Sequence, residues 1–455
     1  FVPLFAGRVE TDGLAEARRF GAEVAAVLLA FMMLFTVAAM AAMPWIMAVV
    51  ARGFLENPVK FNLTVALAQI TFPYLLFMVM CAQFSGMLNS VSRFAEAAAA
   101  PVLLNIFACS AMAIGAYWGG EIIIWLVWTI PVAGVAQLGL VWIAADRAGI
   151  RLRPGLPRWN AEMSHLVRIA LPAALAMGVT QVNLVVGQYV ASDIEKAASW
   201  LFIADRLYQL PLGVVGIAVG IVLLPALSRR LRAGDESGAR EALSRAGEFS
   251  LLLAVPSAVA FIAVPLPLVS VLYERGATGA EDVAAIALAI AIYGVGLPAF
   301  MLQKVLQPLY FAREDTQTPF RYALIAMVVN AALAFGLKPY LGWIAPAIAA
   351  SAAGWAMTLL LWAGSRQMGE SARFDTRFSQ RGLRICLASL VMGLGLYLIH
   401  SYTAALFNLP NWRYLALLGL VLAGGGIYVA IGQLLGAFHL AELKASLRRN
   451  KGNTD

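Results

Sequence analysis

Two basic residues stand in stretches otherwise apolar enough to be buried in hydrocarbon. Arg206 lies in Ala204-Asp-Arg-Leu-Tyr-Gln-Leu-Pro-Leu-Gly213, and Lys304 lies in the middle of the run 282–311. A charge at membrane depth is costly and survives where it faces a hydrated cavity or a partner. A guanidinium donates two parallel hydrogen bonds and so suits a phosphate. Arg206 is therefore read as an anion-binding group in a cavity, and Lys304 as a second cation facing the interior. Asp205 is adjacent to Arg206, so on a helix the two project about 100° apart and form no same-face pair. The competing reading places both at the outer interface, shortly after Asp193-Ile-Glu195-Lys196. Pro211 and Gly213 favour the cavity, because they are expected to break the helix there.

Other polar residues share these apolar stretches. Gln209 follows Asp205 by one turn, and the segment 166–191 carries Thr180, Gln181, Asn183 and Gln188. Elsewhere Gln69, Gln83, Gln137 and Asn330 interrupt apolar runs. Interhelical hydrogen bonds worth ~1 kcal/mol are the usual role of such residues. Asp205, Gln209, Gln181 and Asn183 join Arg206 and Lys304 as candidate substrate-binding groups. Arg52 and Arg275 are expected to anchor equivalent helix ends at the outer interface. Cys81, Cys109 and Cys386 lie within spans without ligand spacing and read as packing residues. His165, His400 and His439 sit at segment ends. Gly216 and Gly220 form a GxxxG, which marks close helix packing. No pattern for a metal, a cofactor or a catalytic nucleophile is present, so a non-enzymatic role is expected. A polyprenyl-phosphate enzyme would need clustered acids. The close acidic pairs Asp235-Glu236, Glu281-Asp282 and Glu314-Asp315 are each isolated in a loop.

The elements that position these residues are membrane helices. Hydrophobic residues make up 61% of the 455 and charged residues 13%, about half the charge of a soluble domain. Twelve segments have the roughly 20 apolar residues that a span requires: 22–51, 61–88, 97–118, 121–145, 166–191, 199–227, 246–273, 282–311, 319–337, 341–365, 383–407 and 412–437. They do not alternate as barrel strands do. Alternate connections hold 25 of the 33 basic residues, and the other connections hold six. By the positive-inside rule the first set is cytoplasmic, as is the C-terminal tail. The net charge of +8 thus reads as topology and attraction to anionic lipid. The basic residues are spread over seven loops, which argues against nucleic-acid binding.

The chain also repeats itself. Phe1-Val-Pro-Leu-Phe-Ala-Gly-Arg8 matches Leu223-Leu-Pro-Ala-Leu-Ser-Arg-Arg230, and the stretch from Pro44 to Gly53 matches that from Pro267 to Gly276. The charge topology is the same in both copies, so the repeat is parallel, as in two-lobed secondary transporters. Two helices precede the matching proline in the second copy. On that basis roughly 57 residues, forming one helix and most of another, are expected before Phe1. The fold class is all-α integral membrane, with two six-helix lobes and two C-terminal helices: fourteen in the intact protein, about twelve complete here. Residues 1–150 are expected to be the remainder of the N-lobe, 151–365 the C-lobe, and 366–455 the last two helices and the tail.

Several stretches together resemble the bacterial MurJ (MviN) family of the MOP transporter superfamily. They are Phe1-Val-Pro-Leu4, Ile70-Thr-Phe-Pro-Tyr74, Gly86-Met-Leu-Asn89 with Arg93-Phe94, Pro101-Val-Leu-Leu-Asn105, Ala204-Asp-Arg-Leu207 through Leu223-Leu-Pro225, and Asp315-Thr-Gln-Thr-Pro319. The resemblance implies a lipid II flippase of the cytoplasmic (inner) membrane. It would move undecaprenyl-pyrophosphate-linked disaccharide pentapeptide from the inner to the outer leaflet by alternating access, through a cationic cavity. Arg206 matches the cavity arginine of the family's eighth helix; the family's other key arginines precede Phe1. The implied partners are lipid II, membrane lipids and the cell-wall synthesis machinery, with no cofactor. Some members are thought to bind sodium through carboxylates on two helices that here offer only Asn183 and Asn330, so no metal site is expected. Membrane potential or protons stay open as the coupling source. The alternatives are another superfamily exporter, for drugs or O-antigen lipid, and a non-transporting scaffold of the division machinery. The Asp315–Pro319 motif and the two extra helices weigh against the first, and the buried Arg206 against the second.

Overall fold

The computed structural model describes the backbone of residues 1–438 except Ser92, Gly120, Arg153, Pro154, Arg158, Glu314, Asn408 and Pro410. Within helices, the side chains of residues 2, 3, 6, 165, 169–177, 179, 180, 182, 183, 215, 217–222 and 225 fall outside that description, as do residues 439–455. The described residues form helices and turns without strands. Nine helical stretches of the described residues are long and apolar enough to cross a membrane, and two of them, Pro58–Ser90 and Gln317–Met368, each contain two α-helices. Their outward faces carry large apolar side chains. Phe31, Leu34, Trp45, Val59, Leu390, Leu394 and Leu422 are all at least 60% exposed, which only lipid can cover. The chain is a multi-pass α-helical membrane protein.

The contacts divide the chain into two compact units, Phe1–Gly178 and Val179–Asp455. In the first, α1 (Val2–Thr11), α2 (Gly13–Ala41), α3 (Met43–Val50), α4 (Pro58–Thr71), α5 (Tyr74–Ser90), α6 (Phe94–Trp118) and α7 (Ile122–Arg147) follow one another. Helix α8 (Ala161–Ala191) crosses the division. The core of the first unit includes Phe5, Phe20, Met87, Leu88, Val141 and Ile150. The glutamines of this unit do structural work. The Nε2 groups of Gln69, Gln83 and Gln137 donate to the Met40, Gly21 and Ala100 carbonyls at 2.9, 3.1 and 3.0 Å, each joining two helices. Cys81 is buried as expected, but Cys109 is exposed on an outer face and does not pack.

The second unit contains α9 (Ala197–Arg232), α10 (Glu236–Ala263), α11 (Pro265–Tyr273), α12 (Ala280–Phe311), α13 (Gln317–Leu341), α14 (Ala345–Ser365), α15 (Thr376–Phe407) and α16 (Arg413–Leu434). Its boundaries repeat those of the first. The break after α2 at residue 42 recurs after α10 at 264, each followed by a short helix with proline in its first turn. Helix α4 begins at 58 and α12 at 280, α6 at 94 and α13 at 317, α7 at 122 and α14 at 345. The offset is 222 or 223 throughout, so the repeat extends well past the matched sequence.

Helices α12 and α14 are joined by a ladder of side-chain hydrogen bonds to backbone carbonyls. Ser351 Oγ donates to Ile292 O at 2.9 Å, Trp355 Nε1 to Val295 O at 2.9 Å, Thr358 Oγ1 to Ala299 O at 2.9 Å, and Tyr310 Oη to Leu361 O at 2.6 Å. In hydrocarbon such bonds replace the missing hydrophobic drive between helices. Close approach is permitted by Gly296, where an added Cβ would stand 2.8 Å from Ser351 Oγ, and by Gly354, where it would stand 2.9 Å from the Phe300 ring. The sequence pointed instead to Gly216 and Gly220. Within its unit a Cβ on Gly216 would meet open space, and the Gly220 side chain lies outside the described residues. Small residues allow contact but do not create it unless another helix lies opposite.

Helix α15 packs on α10, and α16 packs on α15. Glu248 of α10 is buried and holds Arg245 at 2.6 Å, Arg381 at 3.4 Å and Arg377 at 3.6 Å. Arg245 also pairs with Asp375, whose Oδ1 accepts from the Phe378 amide at 2.7 Å and caps α15. Farther along, the Tyr428 hydroxyl donates to Leu252 O at 3.0 Å.

Candidate functional site

Within the second unit, α8, α9, α12, α13 and α14 enclose a cavity of about 670 Å³. Each helix contributes one face. Helix α13 presents Ala323, Ala326, Asn330 and Ala334, and α14 presents Pro346, Ala350, Ala353, Gly354 and Met357. The spacing of three and four keeps these residues on one side. Their small size leaves the volume open, where larger side chains would have closed it.

Asp205, Arg206, Tyr208 and Gln209 reach the cavity from α9, and Gln303, Lys304 and Gln307 from α12. The sequence treated Asp205 and Arg206 as unable to pair. Gln209 closes that angle, because it lies four residues after one and three after the other. Its Nε2 donates to the Asp205 carboxylate, and its Oε1 accepts from Arg206 Nη1 at 3.4 Å. The guanidinium also lies over the Phe202 ring, 4.7 Å from its centre. Beside it, Tyr208 stacks on Tyr293 at 5.2 Å and leans on Phe300 at 5.7 Å. Neither Arg206 nor Lys304 has a carboxylate within ion-pair distance among the described residues. Their charges are available to a ligand.

Four of the six residues singled out from sequence, Asp205, Arg206, Gln209 and Lys304, thus meet in one cavity. Gln181 does not line it. It shares a helix face with Leu184 and Gln188 but stands one turn beyond the last lining residue, and it is exposed. The Asn183 side chain lies outside the described residues. Helix α9 is also continuous through Pro211 and Gly213, contrary to the expected break. The amide hydrogen that proline lacks removes one bond, which a long membrane helix tolerates. Sequence reading missed Gln303 and Gln307. The signal was present, since they flank Lys304 at one and three residues in an otherwise apolar helix. Gln303 is partly structural: its Nε2 donates to Gly354 O at 2.8 Å.

The loop motif Asp315–Pro319 has a clear local role. Asp315 Oδ1 accepts from the Thr318 amide at 2.9 Å. That bond and its neighbours hold the carboxyl below the usual carboxylate range, and the charge favours the start of α13.

Comparison with known proteins agrees with this architecture. A family model described as "Lipid II flippase MurJ" matches residues 1–422. A probable lipid II flippase MurJ from Rhizobium tropici is 40% identical over 460 residues, covering 99% of this chain and 86% of that protein. Its counterpart from Rhizobium meliloti is 41% identical over 458 residues, covering 99% and 85%. Among solved structures, one titled "Lipid II flippase MurJ, inward closed conformation" superposes with a TM-score of 0.78 at 23% identity, covering 95% of this chain and 86% of that one. An inward-facing multidrug transporter of the MATE family, in the MOP superfamily, gives 0.67 at 14% identity over 81% and 85%. Both structural likenesses speak to the fold. On the family match and the two relatives, the chain belongs to the MurJ family.

Proposed function

We propose that this protein moves lipid II from the inner to the outer leaflet of the bacterial cytoplasmic membrane by alternating access. The observation that carries this is the pair Arg206 and Lys304, two cations in one cavity with no carboxylate within ion-pair distance among the described residues. A pyrophosphate headgroup carries about two negative charges and cannot cross hydrocarbon unaided. Arg206 would hold it by two parallel N–H···O bonds, and Lys304 would add a point charge. Asp205 and Gln209 orient the guanidinium, and the Tyr208–Tyr293 stack offers an apolar surface to a sugar face. Residues 1–150 and 151–365 act as the two lobes and 366–455 as the appended helices, with the C-terminus cytoplasmic. Cell-wall synthesis enzymes on either side of the membrane are the expected partners.

The test is complementation in a strain depleted of its own flippase, beside a fluorescent lipid II flipping assay in vesicles. The wild-type gene should restore growth and outer-leaflet labelling. If it restores neither while a Rhizobium relative restores both, the proposal fails.

A further inference from the structure

A second cavity, of about 630 Å³, lies on the other side of the α12–α14 pair. Its wall is apolar and aromatic, with Leu302, Leu306, Trp355, Leu359, Trp362 and Phe378. Two arginines, Arg366 and Arg373, complete the lining at the end where α14 passes into the basic loop. Arg366 lies over Trp362, its Cζ 4.2 Å from the ring centre, and has no carboxylate within ion-pair distance among the described residues. Arg373 is 3.9 Å from Glu370, both side chains being well exposed, a pair of little strength. The loop that carries them is held in place. Arg240 donates to Phe374 O at 3.3 Å, Arg313 to Ser371 Oγ at 2.8 Å, and the Asp375 amide to Ser244 Oγ at 3.0 Å.

We propose that this cavity binds an anionic phospholipid, with an acyl chain among the leucines and aromatics and the phosphate on Arg366 and Arg373. The occupant must be amphiphilic, because an apolar wall ends in two guanidiniums. It is also a separate molecule from the transported headgroup. Gln303, Lys304 and Gln307 face one side of α12 while Leu302 and Leu306 face the other. The Thr358–Ala299 and Gln303–Gly354 hydrogen bonds close the wall between them. A bound lipid would brace the back of the wall that carries Lys304. The assignment needs the membrane setting but does not depend on the flippase reading.

Native mass spectrometry of the purified chain tests it, with phosphatidylglycerol, phosphatidylcholine of the same chains, glycerol phosphate and undecaprenyl phosphate as probes. Each arginine at a membrane surface favours an anionic lipid by about fivefold. Phosphatidylglycerol should therefore bind roughly 25-fold more tightly than phosphatidylcholine. Arg366→Gln/Arg373→Gln should remove most of that preference, while Arg232→Gln, at an exposed arginine outside the lining, should leave it. Leu359→Trp, which fills the apolar end, should weaken both lipids alike. Equal binding of the two phospholipids by wild type would overturn the proposal, as would an unchanged preference in the double variant. Displacement of phosphatidylglycerol by undecaprenyl phosphate but not by phosphatidylcholine would assign the groove to the substrate chain instead. Binding of glycerol phosphate as tight as the lipid would reduce it to an anion site.

Discussion

Arg206→Ala removes a charge from the cavity while disturbing little else. In the structure the guanidinium makes one long hydrogen bond, 3.4 Å to Gln209, and one ring contact, 4.7 Å to Phe202. The residue is exposed to the cavity. Loss of the ring contact costs about 0.5–1 kcal/mol, and the long hydrogen bond adds little. Stability should therefore fall by no more than about 1 kcal/mol. The functional loss is larger. Charge-assisted bonds to a phosphate contribute about 1.5–3 kcal/mol, so about 2 kcal/mol corresponds to roughly 30-fold in substrate affinity. Arg206→Lys keeps the charge but not the fork and should lose about fivefold. Lipid II binding and flipping in vesicles, measured beside the unfolding midpoint in detergent, separate the two effects. Binding within twofold of wild type for the Ala variant would refute the cavity-arginine argument. So would a loss of binding that merely tracked loss of folded protein.

Glu248→Gln should destabilise the packing of α15 on α10 by about 3 kcal/mol, because it leaves Arg245, Arg377 and Arg381 around a neutral group; the detergent unfolding midpoint checks it, and an unchanged midpoint would mean that water already satisfies these arginines. Gly364→Ala would place a Cβ 2.7 Å from the Tyr310 hydroxyl and disturb its bond to Leu361, costing about 1–3 kcal/mol by overpacking, read by the same assay. The depressed Asp315 carboxyl contributes stability that is present above the unfolded Asp value of about 4 and is lost as pH falls through and below it. Asp315→Asn should therefore lower stability at pH 7, flatten the acid limb of a stability–pH curve and converge with wild type at low pH, and an unchanged acid limb would sink that assignment.

The helices were legible because lipid imposes a length and a composition on every span, and all twelve expected segments coincide with helical bodies. The repeat was legible from prolines and arginines at a constant offset, which the breaks after α2 and α10 share. Helix pairing was less so. The GxxxG at Gly216 is a local pattern, whereas the close contacts at Gly296, Gly354 and Gly364 depend on which helix faces which. The same limit shaped the site. Arg206 and Lys304 stood out because charge is rare in apolar runs, but Gln303 and Gln307 gain meaning only once α12 is seen to face α9 and α13. Gln181 illustrates the reverse error: its type and helix face were right, and one turn of axial position removed it from the cavity.

The charge balance of the cavity bears on how it could release what it binds. Among the described residues, Asp205, Arg206 and Lys304 are its charged lining residues, so with Asp205 ionised they would offer one net positive charge to a headgroup carrying about two negative ones. Full neutralisation would bind tightly, and transport needs a site that lets go as readily as it captures. Asp205 sits beside the arginine yet is held by the Gln209 amide instead of the guanidinium. The carboxylate therefore tempers the potential without occupying the arginine's donors. A direct ion pair would have cancelled the cation outright, and an apolar residue at 205 would have left it at full strength. On the proposed function, the three-residue arrangement on one turn of α9 would set an intermediate affinity, and the remaining negative charge would be met by water or by other groups.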